Sequence, residues 1–349
     1  MKIGVIFGSP SVEYLGSCVS GTHVADVLSE KHDVKRIHIT MEGDWEVTNE
    51  KFTYADKETN RSFYSKAVEI GTPKWKRPDW NIINSLLSDL DIVVPQTHGP
   101  YGECGMLQGF LDILGIPYTG PGVEACALTQ NKDSIKILAQ REGVPVSNFL
   151  SFDEITWKED RDTVLKRINK DLKYPLFVKP NDGGSSIGIS KVRVSEDLHK
   201  AIEEAFRFSK RVIVEEGVDA YEVECGVIGT NKLITPNEVG EVVPSKEFYD
   251  IEAKYFKPSG LYVPAKNVNI ETRERIKSLA KQIYRIARSR SYSRVDFLVD
   301  KKTGTPYLTE FTALPGCTEL SLFPQLFVNS GWKELDLWEK IIEISLYEK

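Results

Sequence analysis

Long apolar runs are missing from this chain. No stretch approaches the ~18 consecutive apolar residues that a bilayer-crossing helix needs. The first apolar run, Ile3-Gly4-Val5-Ile6-Phe7, is too short for a secretory leader and has no small-residue cleavage site after it. Cysteine is sparse: Cys18, Cys104, Cys126, Cys225 and Cys317 are odd in number and scattered, with no Cys-x-x-Cys pair. That argues against a disulfide framework and a thiolate zinc site, and a reducing cytoplasm is the expected location. The histidines (His23, His32, His38, His98, His199) show no short metal-ligand spacing. There is no Gly-x-Ser-x-Gly elbow and no Walker phosphate loop, which removes several common enzyme classes. The net charge is −6 and no Lys/Arg cluster stands out, so a dedicated nucleic-acid binder is not expected.

What is present is a globular composition, 41% hydrophobic and 28% charged over 349 residues, long enough for two or three cores. Residues 2–7 read as a buried first strand, 18–30 as a helix with Val19, Val24 and Val27 on one face, and 33–40 as a second strand. Residues 91–95 form a short apolar third strand, and 104–114 a helix closed by Gly115. Strands alternating with helices imply a parallel sheet covered on both faces. Residues 41–80 are mixed and read as an insertion. Turn-forming residues cluster at Tyr118-Thr119-Gly120-Pro121-Gly122 and mark a boundary. Beyond it come a helix over 132–142, a strand over 175–179, a helix over 195–209 and a strand from 211. A helix over about 271–289, strands over 292–299 and 306–311, and two closing helices complete the chain. The expected architecture is α/β in three lobes, 1–120, 121–210 and 211–349.

Three segments carry chemistry. Phe177-Val178-Lys179-Pro180 runs into Asn181-Asp182-Gly183-Gly184-Ser185-Ser186-Ile187-Gly188, a strand, a lysine and a Gly/Ser-rich turn. Such a loop offers backbone N–H groups, hydroxyls and a point charge to an anion, though a hairpin with a surface lysine has the same pattern. An apolar strand ending at Glu215-Glu216 is followed by Tyr221-Glu222-Val223-Glu224. These acids could meet an adenine edge and a ribose, or only solvent. In the hairpin 292–311, Asp296 and Glu310 interrupt apolar strands, where unpaired carboxylates are costly. Magnesium shared with nucleotide phosphates removes that cost, whereas on an exposed face there is none. Arg294, two residues before Asp296, shares its face.

In order, Lys132, the 179–188 loop, Glu215/Glu222, Glu252-Ala253-Lys254-Tyr255 and Arg294/Asp296/Glu310 resemble the ATP-grasp superfamily. Within it the chain resembles the D-alanine–D-alanine ligase family over nearly its whole length. Further matches are Gln96-Thr97-His98-Gly99, Gly105-Met106-Leu107-Gln108-Gly109, Phe248-Tyr249-Asp250 and Pro315-Gly316. The resemblance implies a three-lobed ATP-grasp fold with an N-terminal Rossmann-like parallel sheet. It also implies a carboxylate–amine ligase using ATP and Mg2+ (one or two ions, Mn2+ as a substitute), with small amino-acid substrates and a homodimeric state. Lys132, Lys179 and Lys254 would contact ATP phosphates under Ser186, while Glu215, Val218 and Glu222 would meet the adenosine. Asp296, Glu310 and Thr312 would hold the metal. Glu13 would bind the first substrate's ammonium near His98, linked to Ser185 and Tyr255. Arg294 and the Gly316 N–H would face the oxyanion, and Ser321 and Leu322 the second substrate's carboxylate.

The chain departs from that family at several positions. Thr312 stands where an Asn metal ligand is usual, Gly16 replaces a valine near the first substrate, Cys317 a Met, and Leu320 a His. Gly16 leaves room for a side chain larger than methyl. The retained Tyr255 speaks against an ester product. The rival readings are a sister ligase with other amino-acid substrates and a non-catalytic nucleotide-binding homologue.

Overall fold

The computed structural model describes residues 1–54, 77–243 and 260–347. Strand β1 (Lys2–Gly8) pairs in parallel with β2 (Asp33–Ile39) and β4 (Ile92–Pro95), and β3 (Trp45–Val47) adds an antiparallel edge. β4 is apolar and buried throughout because a parallel sheet is covered on both faces. The helix after β1 spans Tyr14–Ser29, four residues earlier than hydrophobic spacing suggests. Its first turn carries Gly16 and Ser17, buried small residues that give no periodic signal. Met106–Leu114 follows β4 and stops where Gly115 takes the left-handed conformation, φ 69°.

The middle sheet has the order β5-β8-β6-β7, from Phe149–Asp153, Arg211–Glu216, Leu176–Pro180 and Ser190–Val192, all antiparallel. β8 lies just past the expected boundary at 210, yet hydrogen-bonds into this sheet between β5 and β6. Helices Arg161–Asp171 and Leu198–Phe206 contribute to its core, with Ile168, Ile202, Val178 and Val214 fully buried. The third sheet runs β11-β10-β9-β12-β13, from Gly260–Tyr262, Gly240–Val243, Ala220–Ile228, Tyr292–Asp300 and Pro306–Thr312. On one of its faces Val223, Cys225, Val227, Val295 and Phe297 pack against helix Ile270–Ile286 and helix Lys132–Arg141. Strand alternation therefore turns Glu222, Glu224, Arg294 and Asp296 to the other face.

The closing helices Leu322–Val328 and Glu334–Tyr347 return to the first sheet. Phe323, Phe327, Trp338 and Ile341 share one core with Ile3, Val5 and Phe7. This packing ties the two ends of the chain together and brings residues 314–322 against the loops that follow β1 and β4.

Candidate active site

A cavity of about 710 Å³ separates the middle sheet from the third sheet. Lys132, Lys179 and Glu215 line it from one side, and Glu222, Asp296 and Glu310 from the other; Ser185, Ser186 and Val218 border it as well. Lys254 and Tyr255 lie outside the described residues.

The third sheet sets the carboxylates in rank. Glu224 on β9, Asp296 on β12 and Glu310 on β13 are direct cross-strand neighbours, so they share one face. One step along, Gly226, Arg294 and Thr312 form the next rank. Arg294 donates from Nε to Asp296 Oδ1 at 2.7 Å and from Nη2 to Oδ2 at 2.8 Å, a bidentate pair. Its Nε also lies 3.0 Å from Glu224 Oε2, an ion pair without hydrogen-bond alignment. Burial alone would lower the pKa of Arg294, but Asp296 and Glu224 outweigh it and hold the group well above its ordinary value. Thr312 Oγ1 donates to Asp296 Oδ2 at 3.2 Å, so the residue in the usual Asn position touches the Asp296 carboxylate.

Among the described residues no three His, Cys, Asp or Glu side chains form a ready metal cage. Magnesium is usually held by one or two carboxylates together with nucleotide phosphates, so this arrangement fits it. Asp296 is 4% exposed and sits directly opposite Glu310, a pair of hard oxygen donors at the cavity wall.

Across the cavity, Lys132 pairs with Glu310 at 2.9 Å and donates to the Gly183 carbonyl in the Gly/Ser loop. Burial works against its charge, yet Glu310 prevails and its pKa rises. Glu215 is only 3% exposed, and its carboxylate lies between Lys179 and Lys136, each at 2.5 Å. Burial would raise Glu215, but the two ammonium groups overcome it and hold the carboxyl down at about 2. Both oxygens are thus engaged by lysines.

At the amino-acid corner, Ser185 donates from Oγ to Glu13 Oε1 at 2.6 Å. Ser185 and Ser186 hold φ at 51° and 60°, a left-handed region that non-glycine residues enter only when their surroundings dictate it. A Cβ on Gly184 would stand 2.9 Å from both Glu13 oxygens, and one on Gly99 would stand 2.9 Å from Oε2. Two loops from different sheets therefore close on one carboxylate. Replacing Ser185 by alanine removes a charge-assisted hydrogen bond, and KM for the first substrate is expected to rise roughly tenfold with little change in melting temperature. Initial-rate kinetics checks this, and an unchanged KM would contradict it.

Residues 2–121 match the family described as the D-ala D-ala ligase N-terminus, and residues 138–343 match its C-terminus. The D-alanine–D-alanine ligase of Caldicellulosiruptor bescii is 37% identical over 348 residues, 99% of this chain and 95% of that protein. The chain belongs to the D-alanine–D-alanine ligase family. Another relative, the Geobacillus thermodenitrificans D-alanine–D-alanine ligase, is 35% identical over 99% of this chain and 95% of its own length. The solved VanG D-Ala:D-Ser ligase from Enterococcus faecalis superposes with a TM-score of 0.79 at 31% identity, covering 99% of both chains. The Coxiella burnetii D-alanine–D-alanine ligase shares the fold at a TM-score of 0.80 and 23% identity, covering 100% of this chain and 94% of that one. Together with the mixed α/β architecture, these matches make the fold that of the ATP-grasp ligases.

Within this family member the segment around Gly316 is clamped from three sides. His98 donates from Nδ1 to the Leu314 carbonyl at 3.1 Å, and Leu314 N–H points at Glu103 Oε1 at 3.4 Å. Cys317 N–H donates to Ser20 Oγ at 3.2 Å, and that hydroxyl lies 3.1 Å from His98 Nε2. Burial holds the His98 pKa down at about 4, so the ring is neutral, accepts from Ser20 and has both nitrogens occupied. Its observed contacts hold the 314–317 segment. Burial, reinforced by the charge of Glu13, raises Glu103 to about 8. Ser321 Oγ accepts from Thr318 N–H at 2.9 Å. Leu322 buries its side chain, so any contact with a substrate falls to its backbone.

Sequence reasoning missed Lys136, Glu224, Ser20 and Glu103. Lys136 lies one helical turn after Lys132 and therefore on the same face, and Glu224 alternates with Glu222. Those two spacings could have found them. Ser20 and Glu103 have no local signal for this role, because the Cys317 and Leu314 N–H groups that they hold are more than 200 residues away.

Proposed function

We propose that this chain joins two D-alanine molecules into D-alanyl-D-alanine, using ATP and magnesium and passing through an acyl phosphate. The reading is supported above all by the contact of Ser185 with Glu13, which brings the amino-acid corner against the loop bordering the cavity. Glu13 holds the first substrate's ammonium, so its carboxylate faces the cavity. Lys132 and Lys179, with Lys254, attract the ATP phosphates, Ser186 covers them, and Glu222 and Val218 border the ribose and base. Asp296 and Glu310 would hold magnesium (or manganese) with Thr312 beside them, and the metal would supply positive charge where two anions must meet. One carboxylate oxygen attacks the γ-phosphorus and ADP departs. The second substrate, its carboxylate held at Ser321 and Leu322, attacks the acyl carbon through its deprotonated amine. Arg294 and the Gly316 N–H stabilise the oxyanion, and phosphate leaves as the peptide bond forms, taking up the proton that the attacking nitrogen sheds. Tyr255 is assigned to the Glu13–Ser185 hydrogen-bond network.

The same reading includes three lobes divided near 120 and 210, with β8 lent to the middle sheet, and a homodimer acting in the cytoplasm. No helix among the described residues is long and apolar enough to cross a membrane. Phosphate release, with mass spectrometry of the products across a panel of D-amino acids, tests the function. Magnesium-dependent release with D-alanine alone, and a product of two alanines, is the expected outcome. Release only with a larger amino acid at one subsite would transfer the assignment to a sister ligase and implicate Gly16, which is buried in the first helical turn beside Glu13. Nucleotide binding without release under any condition would overturn catalysis itself.

A further inference from the structure

We propose that Glu224 is a positioning residue for the metal side of the site: as the second carboxylate on Arg294, it keeps Asp296 available to a divalent cation. The inference rests on the ligase reading above and assigns a role to a residue outside the site as derived from sequence.

Glu224 is 4% exposed, directly opposite Asp296 across β9 and β12. Arg294 lies with its Nε 2.7 Å from Asp296 Oδ1 and 3.0 Å from Glu224 Oε2. One guanidinium thus stands between two buried carboxylates, while its Nη2 is bound to Asp296 Oδ2 at 2.8 Å. A cation that binds Asp296 must compete with both of these Arg294 contacts. Were Asp296 the only carboxylate beside Arg294 in this rank, releasing it would leave the buried arginine short of a partner, which is costly. With Glu224 in place, Arg294 retains a carboxylate while Asp296 turns to the metal. Groups that orient metal ligands commonly change metal affinity by one or two orders of magnitude when removed, without touching the ion. Thr312 makes the arrangement more consequential here. Its hydroxyl already donates to Asp296, and it is a shorter, weaker donor than the Asn usual at that position.

The test uses the full chain with an unreactive ATP analogue and Mn2+ as the probe, the free ion being followed by electron paramagnetic resonance. For Glu224→Gln the Mn2+ dissociation constant is expected to rise roughly tenfold, and Glu224→Asp, which keeps the charge, to fall between that variant and the parent. In an Arg294→Ala background, Glu224→Gln is expected to produce no further loss, because the effect travels through the arginine. Equal losses in both backgrounds would show that Glu224 acts by its own charge and would overturn the positioning role. Unaltered Mn2+ affinity in both Glu224 variants, with only a lower melting temperature, would overturn it as well. If the unsubstituted protein binds no Mn2+ with the nucleotide, the ligase reading fails instead, so the two failures are separable.

Discussion

Arg294→Ala is expected to lower kcat roughly a thousandfold while leaving Mn2+ affinity undiminished. Two properties of the same guanidinium produce this split. In the proposed mechanism it faces the charge that develops on the tetrahedral intermediate, and preorganised donors at such a point carry large effects because they need no reorientation during reaction. It also occupies both oxygens of Asp296, so removing it frees the carboxylate that the proposed mechanism gives to the metal. Arg294→Lys is expected to recover only a small part of the rate. An ammonium cannot reproduce the planar fork that binds Asp296 twice while reaching toward Glu224. Steady-state kinetics at saturating metal, paired with metal titration, measures both quantities. A kcat within tenfold of the parent would show that Arg294 is a structural counter-ion only.

The second large effect concerns stability. Lys136 is 1% exposed, pairs with Glu215 at 2.5 Å, and donates to the Leu308 carbonyl at 3.0 Å. Burial lowers its pKa, Glu215 opposes that shift, and the nearby charges of Lys179 and Lys132 add to it. Lys136→Ala removes one of the two cations on a buried carboxylate and leaves a carbonyl of β13 without this donor. Breaking a buried ion pair from one side typically costs about 3 kcal/mol or more, and that loss is expected in urea denaturation. Lys136→Met, similar in shape, is expected to be nearly as costly, because the charge on Glu215 and not the volume is what goes unbalanced. If Lys136→Met were as stable as the parent, Lys179 alone would suffice for Glu215. A rise in KM for ATP should accompany the stability loss, since β8 borders the cavity at Glu215 and Glu216.

Much of the cavity wall is legible locally. Asp296 and Glu310 stand out as acids in otherwise apolar strands, and Arg294 shares the face of Asp296 by the two-residue period. The same period applies to Glu222 and Glu224, so the hidden partner of Arg294 was within reach of the argument. The helix over 132–142 is expected from the sequence, and the face through Lys132 includes Lys136. Helix 14–29 began earlier than expected because its first turn is built from small residues that bury without periodicity. That two lysines from different elements occupy the Glu215 carboxylate is determined only by packing.

From the sequence alone came the parallel first sheet, the Gly/Ser loop and the carboxylate pair at Asp296 and Glu310, which depend on residue type and short-range period that the chain carries locally. The family came from a resemblance that rests on the order of motifs along the whole chain. The family resemblance implied the link between Glu13 and Ser185, 172 residues apart, and the fold makes it a direct hydrogen bond; the tertiary structure alone decided that His98, Ser20 and Glu103 clamp the segment bearing Gly316. It also decided that Arg294 stands between Asp296 and Glu224. Such contacts join separate sheets and loops, and their geometry follows from how the separate cores pack together, which no local pattern encodes.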